Sequence, residues 1–352
     1  MSPKQYLSEQ QIEQWNRLMR QAANVVVVGH SGPDGDAMGS VLAMTRYLQS
    51  LGKHAVPMTP NACPDFLHWL PGNDQVIVYR NKTRKAREVL SRCDLLICLD
   101  FNGLRRLEDM SEAVAHCPAP RIMIDHHLDP EPMADLIVSD TAAAATCEVL
   151  FCILHQLGAY PQIDRDTAAC LYCGLMTDTG AFAYNSNRAE LFHIVAMLLA
   201  KGIDKDKIYR NVYYSYTESR LRLMGYLMNE KLEYFPEQHA ALFALTEQEM
   251  KQFNYIRGDA EGFVNLPLQI KGTRLSISLR EDTEKPIVRV SLRSIGDFPC
   301  NQMAERYFNG GGHRNAAGGW LPKPISLAII NARKAIMAEP LLANTTTIEK
   351  QK

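Results

Sequence analysis

No apolar run in this 352-residue chain is long enough to span a bilayer, so no membrane association is expected. The first 21 residues are polar and mixed in charge, unlike a secretory signal. An excess of either charge is also missing: 38 Lys and Arg face 39 Asp and Glu. A general duplex-DNA binder is usually more basic, so duplex DNA is not an expected partner. Cys170-Leu171-Tyr172-Cys173 has no second C-x-x-C to pair with, and its apolar neighbours make it core rather than a zinc or redox site. The nine cysteines are odd in number and scattered through apolar segments. They point to reduced thiols and a cytoplasmic protein.

The length suggests two domains. Charge is divided between them: residues 240–341 hold 13 Lys and Arg against 10 Asp and Glu, whereas residues 1–239 are acidic. A carboxylate-rich front half and a mildly basic back half suit a metal site facing a surface that receives an anion.

The most informative stretch is Val25-Val26-Val27-Val28-Gly29-His30-Ser31-Gly32-Pro33-Asp34-Gly35-Asp36. Four valines read as a buried parallel strand. A polar turn follows, then helical spacing from Ala37 to Leu51. The turn has no Gly-Lys-Ser/Thr for a phosphate-cradling loop and no Gly-x-Ser-x-Gly around Ser31. His30, Asp34 and Asp36 instead offer an imidazole and two carboxylates, ligands suited to manganese or magnesium. Two further apolar strands end the same way, 94–100 in Asp100 and 121–125 in Asp125-His126-His127. Asp178 sits in a turn after the helix 166–176. In open α/β sheets such strand ends gather at one edge.

One cation can be held by His30, Asp34 and Asp100, and a second by Asp36, Asp100, His126 and Asp178, with Asp100 bridging. Two cations about 3.5–4 Å apart are suited to in-line attack on phosphorus by a hydroxide held between them. His127 is either a proton donor and phosphoryl contact or a partner for a ligand carboxylate.

Helices are expected at 10–23, 82–91, 141–157, 187–200 and, as a tyrosine-rich connector, 204–230. From 232 on, alternation predicts strands at 240–245, 263–270, 274–280 and 287–293, then helices at 300–308 and 326–338. Gly310 to Gly319 reads as a glycine-rich turn whose Gly311 and Gly312 amides and His313 can approach an anion. Arg293 adds a fork-shaped donor and Ser294 a hydroxyl.

These motifs together resemble the DHH phosphoesterase superfamily. The 29–37 segment is similar to its first motif, Asp100 to its second, Asp125-His126-His127 to the one that names it, and Asp178-Thr179-Gly180 to its fourth. Residues 310–318 resemble the glycine-rich signature of the DHH-associated carboxy-terminal domain. Size and layout resemble the oligoribonuclease and 3′-phosphoadenosine 5′-phosphate (pAp) phosphatase branch.

The resemblance implies an α/β parallel-sheet domain (1–203), a helical linker (204–238), a smaller α+β domain with a mixed sheet (239–341) and a polar tail (342–352), with the active site in the interdomain cleft. It also implies two Mn²⁺, with Mg²⁺ as the alternative, and a hydrolase releasing nucleoside 5′-monophosphates from short RNA and AMP from pAp. Metal ligands carried over are His30, Asp34, Asp36, Asp100, His126 and Asp178. Asp100 and His127 are the catalytic residues, and Arg293, Ser294, Gly311, Gly312 and His313 the substrate contacts. A phosphodiesterase for linear dinucleotides, a RecJ-like exonuclease and a non-catalytic nucleotide-binding module are the alternatives. The connector tyrosines make a homodimer a further expectation.

Overall fold

The computed structural model describes residues 2–256 and 258–343. They divide into two compact units between Ser215 and Tyr216.

The first unit is built on a six-stranded sheet: β1 (Asn24–Val28), β2 (His54–Thr59), β3 (Ile77–Val78), β4 (Leu95–Leu99), β5 (Arg121–Asp125) and β6 (Leu136–Ser139). Its order is β3-β2-β1-β4-β5-β6 and every pairing is parallel. The valine run supplies β1, which is buried on both faces. Val25 and Val27 pack with Leu95 and Ile97 in one core, and Val26 and Val28 with Leu96, Cys98 and Met123 in another. Helices cover both faces: α1 (Glu9–Gln21), α2 (Gly35–Ser50), α3 (Thr83–Ser91), α4 (Ser111–Ala115), α5 (Thr146–Gln156), α6 (Arg165–Asp178), α7 (Ala189–Leu199) and α8 (Lys205–Tyr213). Strand order reverses between β1 and β4, which opens a crevice beyond their carboxyl ends.

Two glycines let the helices beside that crevice approach closely. A Cβ on Gly39 of α2 would lie 2.5 Å from the Cys170 carbonyl oxygen of α6. One on Gly174 of α6 would lie 2.3 Å from Cys147 Sγ and 2.7 Å from Asp36 Oδ1.

The second unit holds α9 (Glu218–Tyr226), β7 (Glu233–Phe235), β8 (Ala240–Leu245), α10 (Glu247–Gln252), β9 (Leu275–Glu281), β10 (Ile287–Ser294), α11 (Cys300–Tyr307), β11 (Gly311–His313), β12 (Ala316–Pro322) and α12 (Ile325–Ala338). The sheet order is β11-β12-β10-β9-β8-β7; β8 and β9 are parallel and the other pairings antiparallel. Leu242, Ile277, Val290, Leu292 and Ala317 form a core with α11 and α12 residues, while Phe243 and Leu245 pack with Leu223 and Phe263 on the other side.

Several elements differ from the sequence expectation. The strand expected at 263–270 is a 3₁₀ helix, Phe263–Gln269, entered from Gly262 at φ +80° and containing Pro267. Its Phe263, Val264 and Pro267 are the buried residues, a spacing of turns rather than of a strand. The helix expected from 141 begins at Thr146. Ala144 is held out of the helix because its amide donates to Glu148 Oε2, 2.8 Å away. The connector at 204–238 is not one helix. Thr217 accepts a hydrogen bond from the Arg220 amide and caps a new helix, α9, and residues 233–235 join the second sheet as β7. The glycine-rich turn at 310–319 is a hairpin of β11 and β12. From residue 344 on, the expected polar tail lies outside the described residues.

Candidate metal centre

The six expected ligands converge at the carboxyl edge of the parallel sheet. His30 follows β1, Asp100 follows β4, His126 follows β5, Asp34 and Asp36 begin α2, and Asp178 is the last residue of α6. Ligand atoms of His30, Asp34 and Asp100 lie within 4.8 Å of one another, and so do those of Asp36, His126 and Asp178.

The imidazoles are oriented by the backbone. His30 Nδ1 lies 2.9 Å from the Ser31 carbonyl oxygen, so it carries the proton and Nε2 carries the lone pair. Nε2 is buried without a hydrogen-bond partner and faces Asp100 Oδ2 at 3.4 Å and Asp34 Oδ2 at 3.8 Å. His126 Nδ1 likewise turns to the Ala143 carbonyl oxygen at 3.4 Å. Its Nε2 faces Asp178 Oδ2 at 3.3 Å, Asp100 Oδ1 at 3.5 Å and Asp36 Oδ2 at 3.8 Å. Asp100 therefore presents one oxygen to each imidazole. Its backbone sits at φ +67°, a conformation that is strained for a residue with a Cβ, and Thr146 Oγ1 donates to its Oδ1 at 2.9 Å.

Asp34 caps α2: its Oδ1 accepts from the Asp36 and Ala37 amides, each at 3.1 Å, while Oδ2 faces His30. Asp36 sits on the first turn of α5, accepting from the Thr146 amide at 2.5 Å and the Cys147 amide at 2.9 Å. Those amides and the helix dipole favour the carboxylate. Burial, reinforced by the Asp100 charge, outweighs them and pushes Asp36 up to about 8. Burial also opposes ionisation of Asp100, but the close approach of the His30 imidazole and the positive charge that His127, His30 and His126 carry when protonated hold it below the usual carboxylate range. His30 and His126 are both raised: desolvation opposes their charge, and the Asp100, Asp34 and Asp36 carboxylates more than offset it.

Buried like charges, an orphaned imidazole nitrogen and an all-oxygen-and-nitrogen donor set fit a pair of divalent cations.

Residues 24–175 match the DHH family, N-terminal domain, and residues 240–338 match the DHHA1 domain. An exopolyphosphatase-related protein from Bacteroides fragilis is 43% identical in its solved structure, covers 97% of this chain and 100% of its own, and superposes with TM-score 0.92. The chain belongs to the DHH family. Among other DHH relatives, the bifunctional oligoribonuclease and PAP phosphatase NrnA of Thermus thermophilus is 28% identical over 299 residues, 84% of either chain. RecJ of Thermus thermophilus, solved in complex with Mn²⁺, shares the fold at TM-score 0.50 and 14% identity, over 93% of this chain and 53% of its own.

The DHH sequence itself holds a residue not assigned from sequence. Asp125 is buried, and its Oδ1 lies 2.7 Å from His127 Nδ1. Arg106 is a second: its Nη2 lies 3.4 Å from His127 Nε2, and its Nε is buried without a partner. Its carbonyl accepts from the Ser31 amide at 2.8 Å, tying it to the His30 loop. Thr146 is a third. The first of these follows the strand pattern into the motif; Arg106 and Thr146 reach the site only through loops whose paths no local pattern fixes.

In the second unit, Arg293 and His313 both pair with Ala316 of β12, from opposite sides, so they share one row at the sheet's end. Gly312 adjoins it at φ +140°, where a Cβ would lie 2.7 Å from the Ala316 carbonyl oxygen, and Gly311 pairs with Gly318. Ser294 is buried; its hydroxyl donates to the Phe298 carbonyl at 2.7 Å and accepts from Asn315 Nδ2 at 2.8 Å. Those bonds fix the loop after β10.

Proposed function

We propose that this chain is a manganese-dependent phosphoesterase that releases nucleoside 5′-monophosphates from short oligoribonucleotides and AMP from pAp. The observation that carries this reading is Asp100, with one oxygen toward His30 Nε2 and the other toward His126 Nε2. The oligoribonucleotide and pAp substrates are suggested by the name of the Thermus relative.

His30, Asp34 and Asp100 would hold one cation, and Asp36, Asp100, His126 and Asp178 the other. When bound, the pair supplies Lewis acidity that activates water and neutralises phosphate charge. Asp125 accepts the His127 Nδ1 proton and so directs Nε2 to the substrate, from which the leaving oxygen takes a proton as its bond to phosphorus breaks. Arg106 Nη2 donates to His127 Nε2 at 3.4 Å while Asp125 holds the Nδ1 proton. Once Nε2 is protonated both groups are donors, and a phosphoryl oxygen that accepts from the two completes the clamp. Arg293, His313 and the Gly311 and Gly312 amides serve as further substrate contacts.

The test is a side-by-side turnover assay with Mn²⁺ on an RNA dinucleotide, pAp, pyrophosphate, polyphosphate, a cyclic dinucleotide and single-stranded DNA. Mononucleotide from the dinucleotide and AMP from pAp are the expected products. Turnover of neither, in a folded and manganese-loaded sample, rejects the reading.

A further inference from the structure

The cysteines are free and buried, but two of them meet. Cys93, between α3 and β4, and Cys117, between α4 and β5, place their Sγ atoms 3.3 Å apart, inside van der Waals contact for two sulfurs. They are 24 residues apart in sequence. Both lie at the amino ends of their strands, at the opposite edge of the sheet from the ligands.

Cys117 also lines a surface cavity of about 470 Å³, with Arg87, Glu112 and His116 on its wall. Of the pair, Cys117 is the member on that wall, and it is 6% exposed. The surroundings distinguish the two thiols. The Cys93 hydrogen bond lowers Cys117 to about 6, against the effect of burial and with help from the Ala119 amide and the Arg121 charge. Cys93 is raised by that same contact and by burial. The shared hydrogen bond thus draws Cys117, whose Sγ also reaches the Leu90 carbonyl oxygen at 3.5 Å, toward the thiolate more than Cys93.

We propose that Cys93 and Cys117 form a reversible oxidation site, in which a hydroperoxide oxidises Cys117 and Cys93 then closes a disulfide. In the first step the Cys117 thiolate attacks hydrogen peroxide. An S–O bond forms, the O–O bond breaks, and hydroxide leaves, giving a sulfenic acid. In the second, Cys93 sulfur displaces the sulfenic oxygen, which departs as water with the Cys93 proton. Sulfur is oxidised by two electrons and peroxide oxygen reduced by two. Closure needs the sulfurs, 3.3 Å apart, to approach by about 1 Å. The bond ties together the starts of β4 and β5, whose far ends carry Asp100 and Asp125-His126-His127.

The test treats the full chain with stoichiometric hydrogen peroxide and reads intact mass, non-reduced peptide maps and Tm. Wild type is expected to lose two hydrogens, to yield a linked Cys93–Cys117 peptide, and to melt roughly 5 °C higher, all reversed by dithiothreitol. Cys93→Ser should stop at a dimedone-reactive sulfenic acid on Cys117, and Cys117→Ser should form no link. Absence of the linked peptide in wild type, or oxidation first at another cysteine, overturns the proposal. The wild-type map decides the matter even if a variant fails to fold.

Discussion

Asp100 is the residue on which both halves of the centre depend. Replacing it by Ala removes the oxygen facing each imidazole. Turnover should fall by roughly 10³-fold, and titration calorimetry should find fewer than two Mn²⁺ per chain. Full metal occupancy in a folded Asp100→Ala protein counts against the bridge. The same residues set a pH dependence. Asp36, raised to about 8 by burial and by Asp100, keeps a proton in the metal-free folded state that the unfolded chain has lost from about pH 4 upward. The folded state then binds more protons, so stability falls as pH rises through that window. His30 and His126 act in the same direction: their folded values are raised, and the stability of their protonated forms is present below 6.5 and lost above it. The lowered Asp100 contributes fully above the acid range and stays constant across neutrality. Metal-free protein should therefore show a falling Tm from pH 6 to 8, shallower in Asp36→Asn, and Mn²⁺ should raise Tm most at the alkaline end. A Tm that rises over this range in the metal-free protein contradicts the assignment. Beside the centre, His127→Gln should cost about 10²–10⁴ in turnover and weaken Mn²⁺ binding far less than Asp100→Ala does, since His127 Nδ1 is engaged by Asp125 Oδ1 at 2.7 Å.

At the scale of elements, the centre depends on how closely α2, α5 and α6 pack. Gly174 is where the three meet, since a Cβ there reaches Cys147 Sγ and Asp36 Oδ1. Gly174→Ala should destabilise by about 1–3 kcal/mol, seen as a lower urea midpoint, and should also weaken Mn²⁺ binding because Asp36 must move. Loss of stability with unchanged metal affinity would place Asp36 beyond the reach of that strain. Such tertiary contacts mark the limit of what could be read from sequence. The strand-turn-helix at 24–50 is legible because four valines, a polar turn rich in Gly and Pro, and helical spacing from Ala37 each point the same way. Segment 263–270 reads as a strand because Phe263, Val264, Leu266, Leu268 and Ile270 mimic one, while Gly262 and Pro267 turn the backbone into a 3₁₀ helix. From sequence the helix of α5 extends back to residue 141, because the alanines at 142–145 suit a helix. The bonds that hold them out of it, Ala144 amide to Glu148 and Ala143 carbonyl to His126, depend on the folded site.

At the scale of the whole molecule, the proposed chemistry divides between the two units. All six candidate ligands precede Ser215, whereas the second unit carries the Arg293–Ala316–His313 row. Such a division separates binding of cations from binding of substrate, and the two can be measured apart. Arg293→Ala and His313→Ala each remove a donor to an anion, a loss of about 1.5–3 kcal/mol for a charge-assisted hydrogen bond. Each should raise KM for a dinucleotide by about 10- to 100-fold, leaving Mn²⁺ stoichiometry and affinity as in wild type. Ser294→Ala behaves differently, because its hydroxyl is engaged by Phe298 and Asn315. It should lower stability by about 1 kcal/mol and affect KM only as far as the loop after β10 shifts. If Arg293→Ala and His313→Ala leave KM untouched while Ser294→Ala raises it, the substrate contacts lie in that loop and not in the row across β12.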